Sequence, residues 1–287
     1  MTSTQAPIAL DVYDHRIVLK WHRARRTAVD VPFTAARIVE GLRCGASVEV
    51  DLLVHADRGF AVLHDVELSG ATTGRGPVHS ATAQSLRSLE LCDADGTPCG
   101  QPVLLLEDVA DLLDDQPLPP SAVLQLDFKG DVHSLDDRAI DAFAAAVRPV
   151  ARHMILSCGD AEAVRLLTDA APDVLVGYDP CHRGAVDRVL TSGDFPGFVD
   201  ATCAASPRAT TVYLEIRVVQ GAADRGFDLI GAFHARGREV DAYTFAGPVA
   251  GWMRPVVERL AGLGVDQITV DDPAGLVTLF DDAEFQP

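Results

Sequence analysis

Three carboxylates lie in two segments with the pattern of β-strands, and together they could hold a cation. Glu49 and Asp51 belong to residues 48–54, and Asp127 belongs to residues 123–129. Because side chains alternate along a strand, Glu49 and Asp51 face the same side. Carboxylates so close repel one another unless a cation lies between them, and hard oxygen ligands suit Mg²⁺ or Ca²⁺ better than Zn²⁺. The alternative for each is a solvated carboxylate at the start of a loop.

Two histidines accompany these acids and could transfer protons. His22 ends the first predicted strand, and His64 follows the strand that carries Glu49. Imidazole titrates near neutral pH, so both are candidates for a general acid and a general base. The dipeptide His64-Asp65 is weak evidence for a site by itself. It is a candidate because it follows the strand that carries Glu49 and Asp51. Six other histidines, His182 among them, lie in loops or helical stretches with no partner that the sequence identifies.

Lysine is rare in this chain, and both lysines lie in predicted strands. Lys20 and Lys129 are the only two among 24 basic residues, the rest being arginine. Lys20 faces the same side of its strand as His22, and Lys129 faces the same side as Asp127. We interpret the two ammonium groups as ligand-binding, with Lys129 the stronger candidate. The alternative is a salt bridge to a neighbouring carboxylate.

The elements that must position these residues follow a regular alternation. Short β-branched runs alternate with longer stretches of helical spacing, which predicts an α/β fold with a parallel sheet. About eight such units match the size of a (β/α)8 TIM barrel. A doubly wound open sheet is the alternative, although no GxGxxG or GxxxxGK[ST] follows any strand. The predicted strands are residues 17–22, 48–54, 123–129, 153–158, 174–178, 211–217, 239–244 and 267–270.

One segment interrupts the alternation. Residues 55–120 form a long stretch rich in Gly, Ser, Thr and Pro. We interpret it as an insertion after the second strand of a single TIM-barrel domain that spans residues 1–287. In such barrels the carboxyl ends of the strands build the active site, which would bring the candidate residues together.

Composition excludes several classes of protein. The chain has 287 residues, 48% of them hydrophobic, and its net charge is −18. This apolar content excludes a disordered chain, and the acidity excludes broad binding of nucleic acid or anionic membrane. No apolar run approaches the roughly 18–20 residues of a membrane span. Six scattered cysteines without CxxC, and a beginning unlike a signal peptide, predict a cytoplasmic protein. The oligomeric state is not indicated.

The ordered motifs resemble the glycerophosphodiester phosphodiesterase family. His22-Arg23, residues 45–51 and residues 62–65 are similar to its HRG, GAxxIExDV and VxxHD patterns. Residues 126–129, Leu-Asp-Phe-Lys, stand where the family has IEIK, and residues 264–273 look like its GVDGIITDxP. The resemblance extends from about residue 17 to residue 276. It implies a TIM barrel with an insertion after the second strand.

The resemblance also implies a mechanism and a role for each candidate residue. Members use a divalent cation to cleave a phosphodiester into an alcohol and a phosphomonoester such as glycerol 3-phosphate. One histidine takes the proton of the nucleophile and the other protonates the leaving alkoxide. By this resemblance the metal ligands are Glu49, Asp51 and Asp127, the acid and base are His22 and His64, and the phosphate contacts are Arg23 and Lys129.

The chain departs from the family pattern at several places. HRG becomes HRA with Ala24, the Glu-Asn of the family's ENT is Pro32-Phe33, and the glutamate of IEIK is Asp127. Residues 126–129 and 214–217 also look like motifs of the menorin-type proteins in the same barrel superfamily. Two alternatives therefore stay open. One is a lyase of the sphingomyelinase D or phospholipase type that forms a cyclic phosphate, and the other is a non-catalytic barrel that binds phosphorylated ligands.

Overall fold

This computed structural model describes residues 6–281, which contain twelve β-strands and eleven α-helices. In chain order the strands are β1 (Ala9–Val12), β2 (His15–Trp21), β3 (Ser47–Val54), β4 (Phe60–Val62), β5 (Glu90–Cys92), β6 (Pro98–Pro102), β7 (Val123–Phe128), β8 (Met154–Ser157), β9 (Leu175–Tyr178), β10 (Thr211–Glu215), β11 (Glu239–Phe245) and β12 (Gln267–Val270).

The helices alternate with these strands and cover the outside of the sheet. They are α1 (Ala35–Arg43), α2 (Ala83–Arg87), α3 (Leu106–Asp114), α4 (Asp137–Val147), α5 (Ala161–Ala170), α6 (Ala185–Ser192), α7 (Phe195–Ala205), α8 (Ile216–Ala223), α9 (Leu229–His234), α10 (Met253–Gly262) and α11 (Pro273–Asp281).

Eight of the strands close into a parallel barrel. The order is β2, β3, β7, β8, β9, β10, β11 and β12, and β12 pairs again with β2. Trp21 shows the closure, because it is in register with Val48 of β3 on one side and Val270 of β12 on the other. The (β/α)8 TIM barrel is therefore confirmed, and the open doubly wound sheet is wrong.

The eight predicted strands coincide with the eight barrel strands, with one clear difference. β10 ends at Glu215, so Arg217 lies in the first turn of α8 and not in a strand as predicted. The sequence analysis also missed β1, which pairs antiparallel with β2. β1 is short and half exposed, which leaves little apolar pattern to detect.

Several helices begin directly after an aspartate. The carboxylates of Asp136, Asp160, Asp194 and Asp228 each accept a hydrogen bond from a backbone N–H of the helix that follows. Such caps satisfy N–H groups that have no partner within the helix. They fix where each helix starts and, for α4 and α5, where the loop from the preceding strand ends.

Residues 55–120, predicted to be an insertion, contain both regular and irregular structure. β4 pairs antiparallel with the end of β3, and β5 and β6 form a separate two-stranded hairpin. α3, at the end of this segment, packs against both α1 and α4. The hairpin and the loop before it therefore lie between the second barrel strand and the helix that leads to the third.

The barrel interior is polar. Lys20 on β2 lies 3.0 Å through Nζ from Asp241 Oδ2 on β11 and donates a hydrogen bond to Gln125 Oε1 on β7. Neither strand borders β2, so these side chains meet inside the barrel. Lys20 is 1% exposed and Asp241 is fully buried, so each charge depends on the other for compensation. This is the salt bridge that the sequence analysis kept as the alternative for Lys20.

Lys20→Met should destabilise the fold by about 3–5 kcal/mol, because it leaves the Asp241 carboxylate buried and uncompensated. The measurement is the free energy of unfolding from urea denaturation. Arg16→Met is the control on the same strand: its partner Asp11 is exposed, so it should cost less than about 0.5 kcal/mol. The double variant Lys20→Met/Asp241→Asn should recover part of the loss, and a double variant as unstable as the single one would contradict this account.

Candidate active site

A tight turn after β2 brings His22 and Arg23 to the carboxyl end of the barrel. Residues 22–24 form one 3-10 turn, and Arg23 and Ala24 both have left-handed backbone angles, with φ of 55° and 57°. Ala24 stands where the family pattern has glycine, the residue that adopts this conformation without steric cost. The turn is held because the Arg23 backbone N–H donates to Glu49 Oε2 at 2.6 Å.

The three predicted carboxylates meet as the strand pattern requires. Asp51 on β3 is in register with Asp127 on β7, and Glu49 lies two residues earlier on β3. One oxygen from each carboxylate lies within 4.8 Å of the others. Glu49 and Asp51 are buried, and burial together with the neighbouring Asp51 raises the pKa of Glu49 well above its usual value. The cluster carries more negative charge than the protein alone compensates.

Two cations of the protein face this cluster. Lys129 Nζ lies 2.8 Å from Asp51 Oδ1 and also contacts Asp127 Oδ2, and Arg23 Nε lies 3.4 Å from Asp51 Oδ2. Burial would lower the pKa of Lys129, but the charges of Asp127, Asp51 and Glu49 outweigh burial and raise it. Lys129 is therefore a permanent cation beside the carboxylates.

The donor set fits a divalent metal ion. Among residues 6–281, both buried oxygens of Asp51 lack a hydrogen-bond donor in good geometry, although the two cations are near. Buried oxygens of this kind cost free energy unless a ligand satisfies them. Three clustered carboxylates are the kind of ligand set that Mg²⁺ and Ca²⁺ prefer. Glu49, Asp51 and Asp127 could therefore hold such an ion.

A chain of hydrogen bonds fixes Asp127. Ser157 Oγ donates to Asp127 Oδ1 at 2.7 Å, and Gln125 Nε2 donates to Ser157 Oγ at 2.8 Å. Lys20 has no acceptor atom and donates to Gln125, which sets the direction of every bond in the chain. Burial raises the pKa of Asp127, but the bonds from Lys129 and Ser157 outweigh it and leave the pKa lowered. Asp127 therefore remains ionised.

His22 is held by a carboxylate from the last barrel strand. His22 Nδ1 lies 2.6 Å from Asp271 Oδ1, and Asp271 also accepts a hydrogen bond from the Gly247 N–H at 2.7 Å. Since a carboxylate can only accept, Nδ1 carries the proton and Nε2 keeps its lone pair in the neutral ring. Burial lowers the pKa of His22 and outweighs the opposite effect of Asp271. The ring is therefore a neutral proton acceptor near pH 7.

His64 has a similar partner in a more open setting. Its Nδ1 lies 2.7 Å from Asp65 Oδ1, and the side chain is 37% exposed against 18% for His22. The two histidines thus come from different segments, one after β2 and one after β4. Each has one ring nitrogen paired with a carboxylate and the other available to a ligand.

One cavity brings most of the predicted residues together. This inner cavity has a volume of about 240 Å³ and lies over the polar barrel interior. Asp51, the remaining predicted residue, is buried next to Lys129. The predicted residues that line the inner cavity are His22, Arg23, Glu49, His64, Asp127 and Lys129.

The inner cavity also contains residues that the sequence analysis missed. Asp179, which directly follows β9, lies 2.8 Å through Oδ2 from His182 Nε2 and accepts a hydrogen bond from the Tyr243 hydroxyl at 2.7 Å. The sequence analysis identified no partner for His182, and the structure gives it Asp179. A signal was present, because Asp179 directly follows a predicted strand, as Asp271 does.

A second, outer cavity of about 430 Å³ adjoins the first and shares Arg23 and His64 with it. Residues 28–33 form one wall, including Pro32-Phe33 at the place of the family's Glu-Asn. Residues 91–95, at the start of the β5–β6 hairpin, form another. The outer cavity therefore lies between two loops, whereas the inner cavity lies over the strands.

Comparison with solved structures supports the barrel assignment. A protein from Silicibacter pomeroyi DSS-3 has a TM-score of 0.68 at 18% identity, covering 94% of this chain and 95% of that one. A glycerophosphodiester phosphodiesterase from Agrobacterium tumefaciens str. C58 has a TM-score of 0.63 at 20% identity, with 91% and 99% covered. An Oleispira antarctica phosphodiesterase, solved with the product sn-glycerol-3-phosphate, has a TM-score of 0.63 at 17% identity, with 92% and 96% covered.

Sequence comparison identifies the family. No curated protein sequence matches this chain significantly. Within residues 6–281, none of the helices has the length and apolar character that crossing a membrane requires. The model of the Glycerophosphoryl diester phosphodiesterase family matches residues 40–275, which is most of the chain and includes the three carboxylates, His64 and Lys129. The chain therefore belongs to the Glycerophosphoryl diester phosphodiesterase family, a family of phosphoric diester hydrolases.

Proposed function

We propose that this protein hydrolyses a glycerophosphodiester-like substrate to an alcohol and a phosphomonoester in a reaction that depends on Mg²⁺ or Ca²⁺. The observation that carries the proposal is the cluster of Glu49, Asp51 and Asp127 beside a cavity that both His22 and His64 line. Membership of the family supports the reaction class. The sn-glycerol-3-phosphate bound to the Oleispira antarctica enzyme supports a small phosphodiester substrate.

Glu49, Asp51 and Asp127 would hold the cation. When bound, it would polarise the phosphoryl oxygens and lower the pKa of the attacking water or hydroxyl. Arg23 and Lys129 line the same cavity and donate to the phosphate oxygens. In the free protein both side chains lie against Asp51. With cation and substrate bound, the same two positive charges would be shared between the carboxylates and the phosphate.

The two histidines differ in ways that suit opposite roles. His22, whose pKa burial lowers, is neutral near pH 7 and takes the proton of the nucleophile at Nε2. Asp271 holds the ring through Nδ1 and stabilises the imidazolium that forms. His64 borders both cavities and protonates the alkoxide that leaves toward the outer cavity. Under this assignment the phosphomonoester stays in the inner cavity.

The remaining proposals rest on the sequence. We infer one domain over residues 1–287 with an insertion at residues 55–120, no nucleic-acid partner because the net charge is −18, and a cytoplasmic location because the cysteines are scattered. The sequence and the site leave the oligomeric state open.

The first test is cation dependence. Purified protein should hydrolyse bis(p-nitrophenyl) phosphate and glycerophosphocholine with Mg²⁺ or Ca²⁺, and excess EDTA should stop both reactions. Loss of a residue that only hydrogen-bonds a metal ligand weakens metal binding by roughly 10- to 100-fold. Asp127→Asn changes a proposed ligand itself, so it should weaken cation binding, measured by calorimetry, by more than this. Asp114→Asn, at an exposed carboxylate outside both cavities, is the control and should bind as the wild type does. Hydrolysis that persists in EDTA would exclude the metal-dependent mechanism.

The second test is the role of His22. His22→Ala should lower kcat by about 10²- to 10⁴-fold, because the nucleophile loses its general base. His133→Ala, at an exposed histidine outside both cavities, should leave kcat unchanged. Phosphorus NMR of the products should show a phosphomonoester. A cyclic phosphate would favour the lyase alternative instead, and an unchanged kcat in His22→Ala would remove His22 from the mechanism.

A further inference from the structure

A third histidine–aspartate pair lies in the inner cavity and has no part in the mechanism above. His182 Nε2 is 2.8 Å from Asp179 Oδ2. His182 follows β9, far along the chain from both His22 and His64. Its side chain is 47% exposed, so it lies at the mouth of the cavity and is accessible to a ligand.

Asp179 is fixed so that it holds His182 in place. Its Oδ2 accepts a hydrogen bond from the Tyr243 hydroxyl at 2.7 Å, and its Oδ1 accepts one from the Cys181 backbone N–H at 2.7 Å. Asp179 is itself 7% exposed. Because the carboxylate has little freedom to turn, the histidine that pairs with it is held in one orientation.

The neighbouring loop leaves room for the His182 ring. A Cβ at Gly159 would lie 2.3 Å from His182 Cδ2 and 2.4 Å from Cγ, closer than atoms of this kind approach. A side chain at residue 159 would therefore displace the ring. The packing thus permits the observed ring placement only because residue 159 is glycine.

His182 is next to the groups that the proposed function assigns to phosphate and cation. Asp127 and Lys129 line the inner cavity with it, and all three also line a side cavity of about 340 Å³. The interaction with Asp179 raises the pKa of His182, and this effect outweighs burial. Since Nε2 faces Asp179, Nδ1 is the ring nitrogen that can donate to a ligand.

We propose that His182 is a third cationic contact of the phosphate subsite and donates a hydrogen bond from Nδ1 to a phosphoryl oxygen. It would act together with Lys129 and Arg23, which line the same cavity. This inference rests on the proposed function, because it takes the inner cavity as the place where the phosphate binds. The contribution of His182 is to binding, and proton transfer remains with His22 and His64.

The test uses variants that separate charge from shape. His182→Gln removes the cation, whereas His182→Lys retains one. His234→Gln is a matched control, because His234 Nε2 also lies 2.8 Å from an aspartate oxygen, in Asp266, at similar exposure and outside these cavities. Gly159→Ala keeps the histidine but displaces its ring. Urea denaturation establishes that each variant is folded.

Two measurements are made on each folded variant in the presence of Mg²⁺. One is the KM and kcat for bis(p-nitrophenyl) phosphate, and the other is the affinity for inorganic phosphate by calorimetry. His182→Gln and Gly159→Ala should raise KM and the phosphate Kd by roughly tenfold or more, with kcat within about twofold. His182→Lys should recover most of that loss, and His234→Gln should show none.

The outcomes distinguish this inference from the proposed function. Phosphate binding that weakens in His182→Gln while no phosphodiester is cleaved would support the inference and overturn the hydrolase. Hydrolysis with unchanged KM and Kd in His182→Gln would support the hydrolase and overturn the inference. A wild-type protein that binds no phosphate would also overturn it, and so would a loss in His182→Gln that His182→Lys does not reverse.

Discussion

The compensation of negative charge inside a closed barrel is the constraint on which this site depends. Glu49, Asp51 and Asp241 are buried, and an unpaired carboxylate in such a place would cost several kcal/mol. The chain has only two lysines, and each lies against one part of this charge: Lys20 at Asp241 and Lys129 at Asp51 and Asp127. The other basic side chains among the 24 are arginines, and Arg23 joins Lys129 at Asp51.

Hydrogen bonds join the two lysines into one network. From Lys20 the chain runs through Gln125 and Ser157 to Asp127, whose other oxygen contacts Lys129. Each bond has a defined donor, so no member can rotate without leaving a buried polar atom unsatisfied. The polar interior thus keeps the proposed ligand in one orientation before any cation binds, which lowers the entropy that binding must overcome. The same hydrogen bonds therefore stabilise the barrel interior and orient Asp127.

The sequence predicts those parts of the molecule that a local pattern determines. The barrel strands are short β-branched runs between helical stretches, and their alternation places Glu49, Asp51 and Asp127 on the inner face. The sequence cannot predict contacts between distant segments. The hydrogen bond from the Tyr243 hydroxyl to Asp179, for example, joins residues 64 positions apart, and no local pattern indicates it. Arg217 was misplaced because the β-branched run continues into the first turn of α8.

The position of the outer cavity has a consequence for how such enzymes diversify. Its walls come from residues 28–33 and 91–95, which lie outside the barrel strands and carry none of the three carboxylates. Surface loops accept insertions and substitutions that barrel strands do not. With the alcohol leaving toward these loops, as proposed, substrate range and bond cleavage are encoded in separate stretches of sequence. Substitutions in these two loops would then change which alcohol fits without altering the three carboxylates.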